Sequence, residues 1–461
     1  MIYNSQIAVY GFGPASIFFL EKFVNTNVTI NVYEYGKENN ETEINTIDEI
    51  KGPIEFFKGS NRERIGGFFG TAGLWREKGV GGKFFKFDKN DIILNNWPIS
   101  YEELNNYYQL IINKFDQVFK LSINNDLNIK KKFFDETNFE IKKGSQTLTY
   151  NFDRVIKYYK KKINNSKNIK IYYEHPLVNF ELDKNNNKIL RGRVLNNDKI
   201  IESHSEYHIL SSGCLESNKI ILETLKEHQS YIENKKIGRR LSFHPSCALG
   251  SFFSDKMITR NFLKRKIDFK REIICLKNKD AAEIYNSGAF LSFEQKNEKK
   301  LLSKIYNKLV GQIYEIKASL AFEHFASDLN YIKLSNKKDI NGIRKININT
   351  SFCDLNKKFA ESKYQNFISK LTQLKIFNYN FYKKEFLLNL ETNNHHHGGL
   401  IFSNKFSDPV DDNLNFRGLK NLYINGSSVF PSSSIYNPTF TIIALSKRLS
   451  EFIYKNFYKS L

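Results

Sequence analysis

Three adjacent histidines, His395, His396 and His397, stand directly before Gly398-Gly399. Imidazole is the side chain whose ordinary pKa lies closest to neutral, so it is the natural group to take a proton from a reacting hydroxyl. A shared metal ion is the competing use of such a run. Neighbouring residues seldom all point at one ion, and no HExxH-type spacing accompanies them, so no metal is expected. Further along, Asn437-Pro438-Thr439 opens an apolar helical run. Pro438 suits the first helical position and Asn437 the cap before it. A helix start carries unpaired N–H groups and partial positive charge, which makes this one a natural seat for an anion.

The opposite end of the chain indicates which anion. Ile7-Ala8-Val9-Tyr10 reads as a buried strand, and Gly11-Phe12-Gly13-Pro14-Ala15-Ser16 leads from it into the helical run Ile17-Phe18-Phe19-Leu20. Gly11 permits the tight turn and Gly13 lets the backbone approach a pyrophosphate. Ser16, at the third glycine position, is small enough for close helix–strand packing. A second strand over residues 28–33 ends at Glu34, whose carboxylate suits ribose hydroxyls. Strand, helix, strand and acid in this order predict a dinucleotide site.

At 461 residues, 41% apolar and 15% aromatic, the chain can bury a large core and is expected to form two domains. Its four cysteines, Cys214, Cys247, Cys275 and Cys353, are widely spaced and match no zinc or redox motif, so reduced thiols are expected. No leader-like segment precedes the first strand, and no apolar run is long enough to span a bilayer. A soluble, cytoplasmic protein is the expectation. The net charge of +21 is spread over Lys- and Asn-rich turns, with no nucleic-acid module among them. It reads as a solvated surface, with weak attraction to anionic substrates or membrane surfaces as the alternative.

Between the two ends, Arg64-Ile65-Gly66-Gly67 and Gly70-Thr71-Ala72-Gly73-Leu74-Trp75 form a Gly-rich stretch suited to a flat ligand. Trp97-Pro98-Ile99-Ser100 precedes a helix with Ser100 as cap and Glu103 completing a capping box. Residues 169–180 and 189–195 read as meander strands. Residues 207–210 form a buried strand running through Ser211-Ser212-Gly213 to a helix from Asn218.

Taken in order, these segments resemble the glucose–methanol–choline (GMC) family of FAD-dependent oxidoreductases. Residues 32–36 look like that family's ribose-binding strand end, and 213–222 (GCLESNKIIL) are similar to its internal GAIESPRLLL signature. Residues 238–245 resemble its GRxLxxHP element, and 421–441 its C-terminal flavin segment. Residues 71–75, with the later WPIS run, resemble members that act on sugars and related polyols.

The resemblance implies an α/β fold. A Rossmann-like FAD-binding domain would be built from 1–110, 147–250 and 395–461. A substrate domain on a mostly antiparallel sheet would span 251–394, with 111–146 as a lid or interaction segment. It implies flavin contacts at Gly11, Gly13, Pro14, Ala15, Ser16, Glu34, Gly67, Thr71, Gly73, Leu74, Val178, Gly213, Gly426, Ser427, Pro438 and Thr439. Gly73 stands where some relatives carry a flavin-linked histidine, so non-covalent FAD is implied. The HxxG segment places His395 at the base position, with His396 as the one-residue alternative. Asn437 matches the residue paired with that base and would position the substrate oxygen. Among the other histidines, His208 reads as a core residue, His244 as a brace for the cofactor domain, and His324 as a candidate pocket residue.

The implied reaction is oxidation of a hydroxyl in a sugar-like or polyol substrate to a carbonyl. Dioxygen, a quinone or a carrier protein would accept the electrons, with a dehydrogenase favoured over an oxidase. The rivals are an FAD-containing lyase and a non-catalytic flavin-binding protein, with an NAD enzyme as a third.

Overall fold

The computed structural model describes residues 2–39, 42–52, 64–76, 84–119, 139–141, 152–183, 188–228, 236–243, 245–254, 271–278, 287–295, 314–324, 326–351, 357–358, 361–362, 365, 379–381 and 395–459. Strand β1 (Ile2–Tyr10) turns at Gly11 into helix α1 (Pro14–Leu20), which continues as a 3-10 turn (Glu21–Phe23) before β2 (Ile30–Tyr33). Helices α2 (Tyr101–Phe119) and α3 (Phe152–Asn164) precede β3 (Ile169–Tyr172). Strand β4 (Lys199–Leu210) feeds α4 (Gly213–Glu227), and β5 (Leu422–Ile424) is followed by α5 (Thr439–Lys459).

The five strands lie side by side in the order β3-β2-β1-β4-β5, all parallel. Their apolar runs are buried because helices cover both faces of such a sheet. The order is Rossmann-like, and its winding reverses between β1 and β4, where open α/β sheets bind ligands. Register makes that edge sharp. Tyr172, Tyr33, Tyr10, Leu210 and Ile424 are successive pairing partners across the sheet, so all five strands end in one row.

A meander of Leu177–Leu182 and Ile189–Asn196 continues antiparallel from β4. The span 169–180 therefore divides, β3 joining the parallel sheet and only the later part the meander. Glu174, at φ +59, and Pro176 make the break, one left-handed and the other without an N–H to donate. Helix α4 also begins earlier than Asn218, at Gly213.

The remainder is mostly antiparallel. One sheet joins His397–Gly399, Arg239–Ser242, Tyr331–Lys338, Arg344–Asn349 and Ile47–Lys51. A six-stranded sheet joins Tyr379–Phe381, Ser246–Ser254, Tyr314–Phe322, Ser287–Gln295, Arg271–Asn278 and Phe139–Ile141. It thus takes a strand that starts before residue 251 and an edge strand from the 111–146 segment. That segment also includes the second half of α2, whose Ile111, Ile112, Phe115 and Phe119 are core residues. Ser100 Oγ accepts the Glu103 N–H at 3.0 Å, as a cap should, but the Glu103 carboxylate turns to Arg448 Nε at 2.6 Å instead of closing the box.

Candidate cofactor and active site

Past the row of strand ends, the chain keeps the sheet's hydrogen bonding for one more residue. Gly11 N–H donates to Tyr33 O, Ser211 N–H to Tyr10 O and Asn425 N–H to Leu210 O, each at 2.8 Å. These three turns open one cavity of about 470 Å³, lined by Gly11, Gly13, Pro14, Ala15 and Glu34, by Ser211 to Lys219 on and before α4, and by Gly426, Ser427, Pro438 and Thr439. Asn425 fastens the turns together. Its amide donates to Ala15 O at 3.2 Å and Ser211 Oγ at 3.1 Å, and its oxygen accepts Ser446 Oγ at 2.7 Å. This role of Asn425 has no signal in the sequence, because none of its partners is near it in the chain.

Glu34 is buried, and three peptide N–H groups converge on its carboxylate: Phe12 to Oε2 at 2.7 Å, and Gly36 and Gly67 to Oε1 at 2.8 Å each. Burial raises its pKa, against the pull of those donors. Oε1 has both lone pairs occupied, whereas Oε2 keeps one for a hydroxyl. The Gly11 cradle leaves no room for a side chain, since a Cβ there would lie 2.6 Å from Ser211 O. A tight backbone turn, a fixed carboxylate and two helix starts on one cavity fit a dinucleotide.

Other expected contacts fall outside the lining. Ser16 packs beneath it and donates to Gly11 O at 2.5 Å, and Gly67 serves Glu34. Thr71 lines the cavity from the 3-10 segment Gly70–Arg76, whereas Gly73 of that segment does not. Leu177, not Val178, faces inward, as alternation along a strand requires when one neighbour points the other way. Helix α5 starts at Thr439, with Ile442 N–H on Pro438 O at 2.9 Å, so Pro438 takes the capping place expected of Asn437. Asn437 is half-buried beside this start and is not itself a lining residue.

The histidine run is held as an extended edge beside α4. Ser427 Oγ donates to His396 O at 2.7 Å, and Asn218 Nδ2 donates to Gly398 O at 3.0 Å. His395 and His396 line the cavity. His397 is fully buried and stacks on Phe430 at 5.5 Å. Burial, reinforced by the positive charge of Arg64, pushes the His396 pKa down to about 3. Among the described residues no group of three or more His, Cys, Asp or Glu side chains could hold a metal.

His208 is a core residue bonded through Nδ1 to Tyr10 OH at 2.9 Å, and burial lowers its pKa to about 3. His324 meets Ser351 O through Nε2 at 3.0 Å, away from the cavity lining, with its pKa lowered by burial to about 4. His244 lies outside the described residues. Three histidines buried in the neutral form have a linkage consequence. Between pH 6.5 and about 4 the unfolded chain binds protons that the folded one refuses, so stability is complete above 6.5 and is lost on acidification. Each contributes up to about 1.4 kcal/mol per pH unit in that window. Melting at pH 7.5, 6 and 5 should show a steep fall, and a level profile would contradict their burial.

A buried charge cluster on the cavity wall was not legible in the sequence. Arg64 Nη1 meets Glu216 Oε1 at 2.6 Å, Lys219 Nζ meets Glu216 Oε2 at 2.5 Å, and Thr46 Oγ1 bonds the same carboxylate. Burial alone would raise the Glu216 carboxyl, but Lys219 and Arg64 overcome it and hold its pKa at about 2. Only the fold brings residue 64 to residue 216.

Comparisons with known proteins agree with this architecture. The family model described as GMC oxidoreductase matches residues 357–446. Pyridoxine 4-oxidase from Mesorbium loti is similar in structure, with a TM-score of 0.66 and 11% identity over 98% of this chain and 99% of that one. Formate oxidase from Aspergillus oryzae, in a structure concerned with a mutation's effect on FAD modification, gives 0.64 and 13% over 99% of each chain. No curated protein matches in sequence. The family model thus matches the C-terminal region of the chain, and the fold follows that of these two oxidases from end to end.

Proposed function

We propose that the chain binds FAD non-covalently and oxidises the CH–OH group of a small polar alcohol, sugar-like or polyol in type, to a carbonyl. One observation carries the reading: His395 lines the same cavity as the Gly11 turn, Glu34 and the start of α5. FAD, when bound, supplies the acceptor for the carbinol hydride.

Gly11, Gly13 and the first turn of α1 would hold its diphosphate, and Glu34 Oε2 a ribose hydroxyl. The start of α5 at Pro438 and Thr439 lines the cavity and would favour negative charge on a bound flavin. Non-covalent binding is supported by sequence, since the first histidine is His175 and Gly73 offers no side chain for a link.

His395 is the better base. A proton acceptor works best with a pKa near the working pH, and burial takes His396 far below that. Asn437, half-buried beside the start of α5, would orient the substrate hydroxyl, the role the family resemblance implies for it. Asn437→Ala should slow flavin reduction about 100-fold with the flavin still bound, the cost of losing alignment. An unchanged rate constant would remove Asn437 from the site.

The two structural neighbours are named for pyridoxine and formate, so the substrate screen should extend past sugars, polyols and nucleotide sugars to small polar alcohols and acids. The test is the visible spectrum of the purified protein, then anaerobic bleaching by each candidate. A colourless protein that takes up no added FAD would overturn the proposal. Reoxidation in air against reoxidation by a quinone tests our preference for a dehydrogenase. A cytoplasmic setting is in keeping with the free thiol of Cys214.

A further inference from the structure

At the far end of α1 from the Gly13 turn, one carboxylate meets three ammonium groups. Glu21, its side chain 6% exposed, contacts Lys114 of α2. Lys447 of α5 lies 2.8 Å from Glu21 Oε2, and Lys162 of α3 lies 3.6 Å from Oε1. Three amines crowd one carboxylate, and burial, with repulsion from the neighbouring lysines, pulls Lys114 down to about 7 and Lys447 to about 8, the latter against the pull of Glu451. Two tyrosines wall it. Lys114 Nζ is 5.3 Å from the Tyr159 ring and Lys162 Nζ is 5.7 Å from the Tyr158 ring. The Tyr159 hydroxyl is buried and has no hydrogen-bond partner among the described residues. The nearest further acid on α5, Glu451, accepts the Tyr107 hydroxyl at 3.1 Å.

The lysine side chains are 21%, 32% and 19% exposed for Lys114, Lys162 and Lys447, sheltered yet open to a small solute. Like charges gathered by three separate helices repel one another, and partial burial weakens the screening by water. A second anion would relieve that repulsion, with up to three ammonium donors to bind it.

We propose that this cluster is an anion site for a phosphate-type dianion, whether free phosphate or a phosphate monoester. Occupied, it ties the end of α1 to α5. Those are two of the helices whose first turns face the dinucleotide cavity, so occupancy should steady that clamp from behind.

The flavin-loaded protein is the one to test, so that phosphate cannot enter the cofactor's own diphosphate seat. Melting is followed against inorganic phosphate at constant ionic strength, with chloride making up the balance. A saturable rise is expected. Lys162→Met should weaken the apparent phosphate affinity about tenfold, the loss of one charge-assisted hydrogen bond. Its melting in chloride and its flavin content should stay as in the parent, and Lys162→Arg should restore the response. Glu21→Gln, which removes the carboxylate that competes for the lysines, should tighten phosphate binding. Glycerol phosphate in place of phosphate separates the sources, since a stronger response marks a monoester site and a weaker one a free-phosphate site. Equal phosphate responses in the parent and Lys162→Met, or weaker binding in Glu21→Gln, would overturn the proposal and leave Glu21 only as a structural hub.

Discussion

His395→Ala is expected to cut substrate-driven flavin reduction about 1,000-fold, within the range that a general base contributes, while the protein stays yellow. The residue sits at the cavity on an edge whose backbone is held at His396 and Gly398 by Ser427 and Asn218, bonds made to main-chain oxygens and not through the imidazole. Losing the imidazole should therefore leave the clamp intact. Anaerobic stopped-flow reduction is the measurement, with His396→Ala as its companion. Wild-type reduction in the first and none in the second would move the base by one residue. Normal reduction in both would place it elsewhere.

Gly11→Val should release the cofactor. The glycine has φ +99, and an added Cβ would meet Ser211 O at 2.6 Å and Ser212 Cα at 2.9 Å. Neither strand can yield, because Tyr10 and Leu210 are register partners in the middle of the parallel sheet. FAD affinity should fall about 100-fold or more, and stability by a few kcal/mol. Gly342→Ala is the control. Its φ is +75 and it is not in the cavity lining, and nothing lies within 4 Å of the new Cβ, so the cost is backbone strain of about 1–2 kcal/mol and flavin should be retained. Equal flavin content in the parent and Gly11→Val would refute the cradle.

The cradle was legible because it is local. Gly11, Gly13, Ser16 and Glu34 lie within one strand–helix–strand unit, where spacing alone dictates the turn, the approach and the packing. The start of α4 was misread because Ser211-Ser212-Gly213 has loop composition, yet the turn it makes delivers the helix at once. Val178 was misplaced by one residue, an error that in a strand reverses the face. Glu216 with Arg64, and Asn425 with Ala15, were invisible for a different reason. Their partners are far away in sequence, and only the strand order makes them neighbours. The antiparallel sheet over residues 246–322 carries no sequence motif, because alternating apolar strands specify a surface to pack and not a ligand to bind.

Strand β5 has a consequence for biosynthesis. The edge of β4 that it covers, at His208 to Leu210, waits for Leu422 to Ile424, so more than two hundred residues must leave the ribosome between the two. Until then the nascent chain carries an unpaired apolar strand, the kind of template that recruits other chains. A translational pause in that interval should make the protein dependent on chaperones, and flavin added during synthesis should be captured only after the last strand has docked.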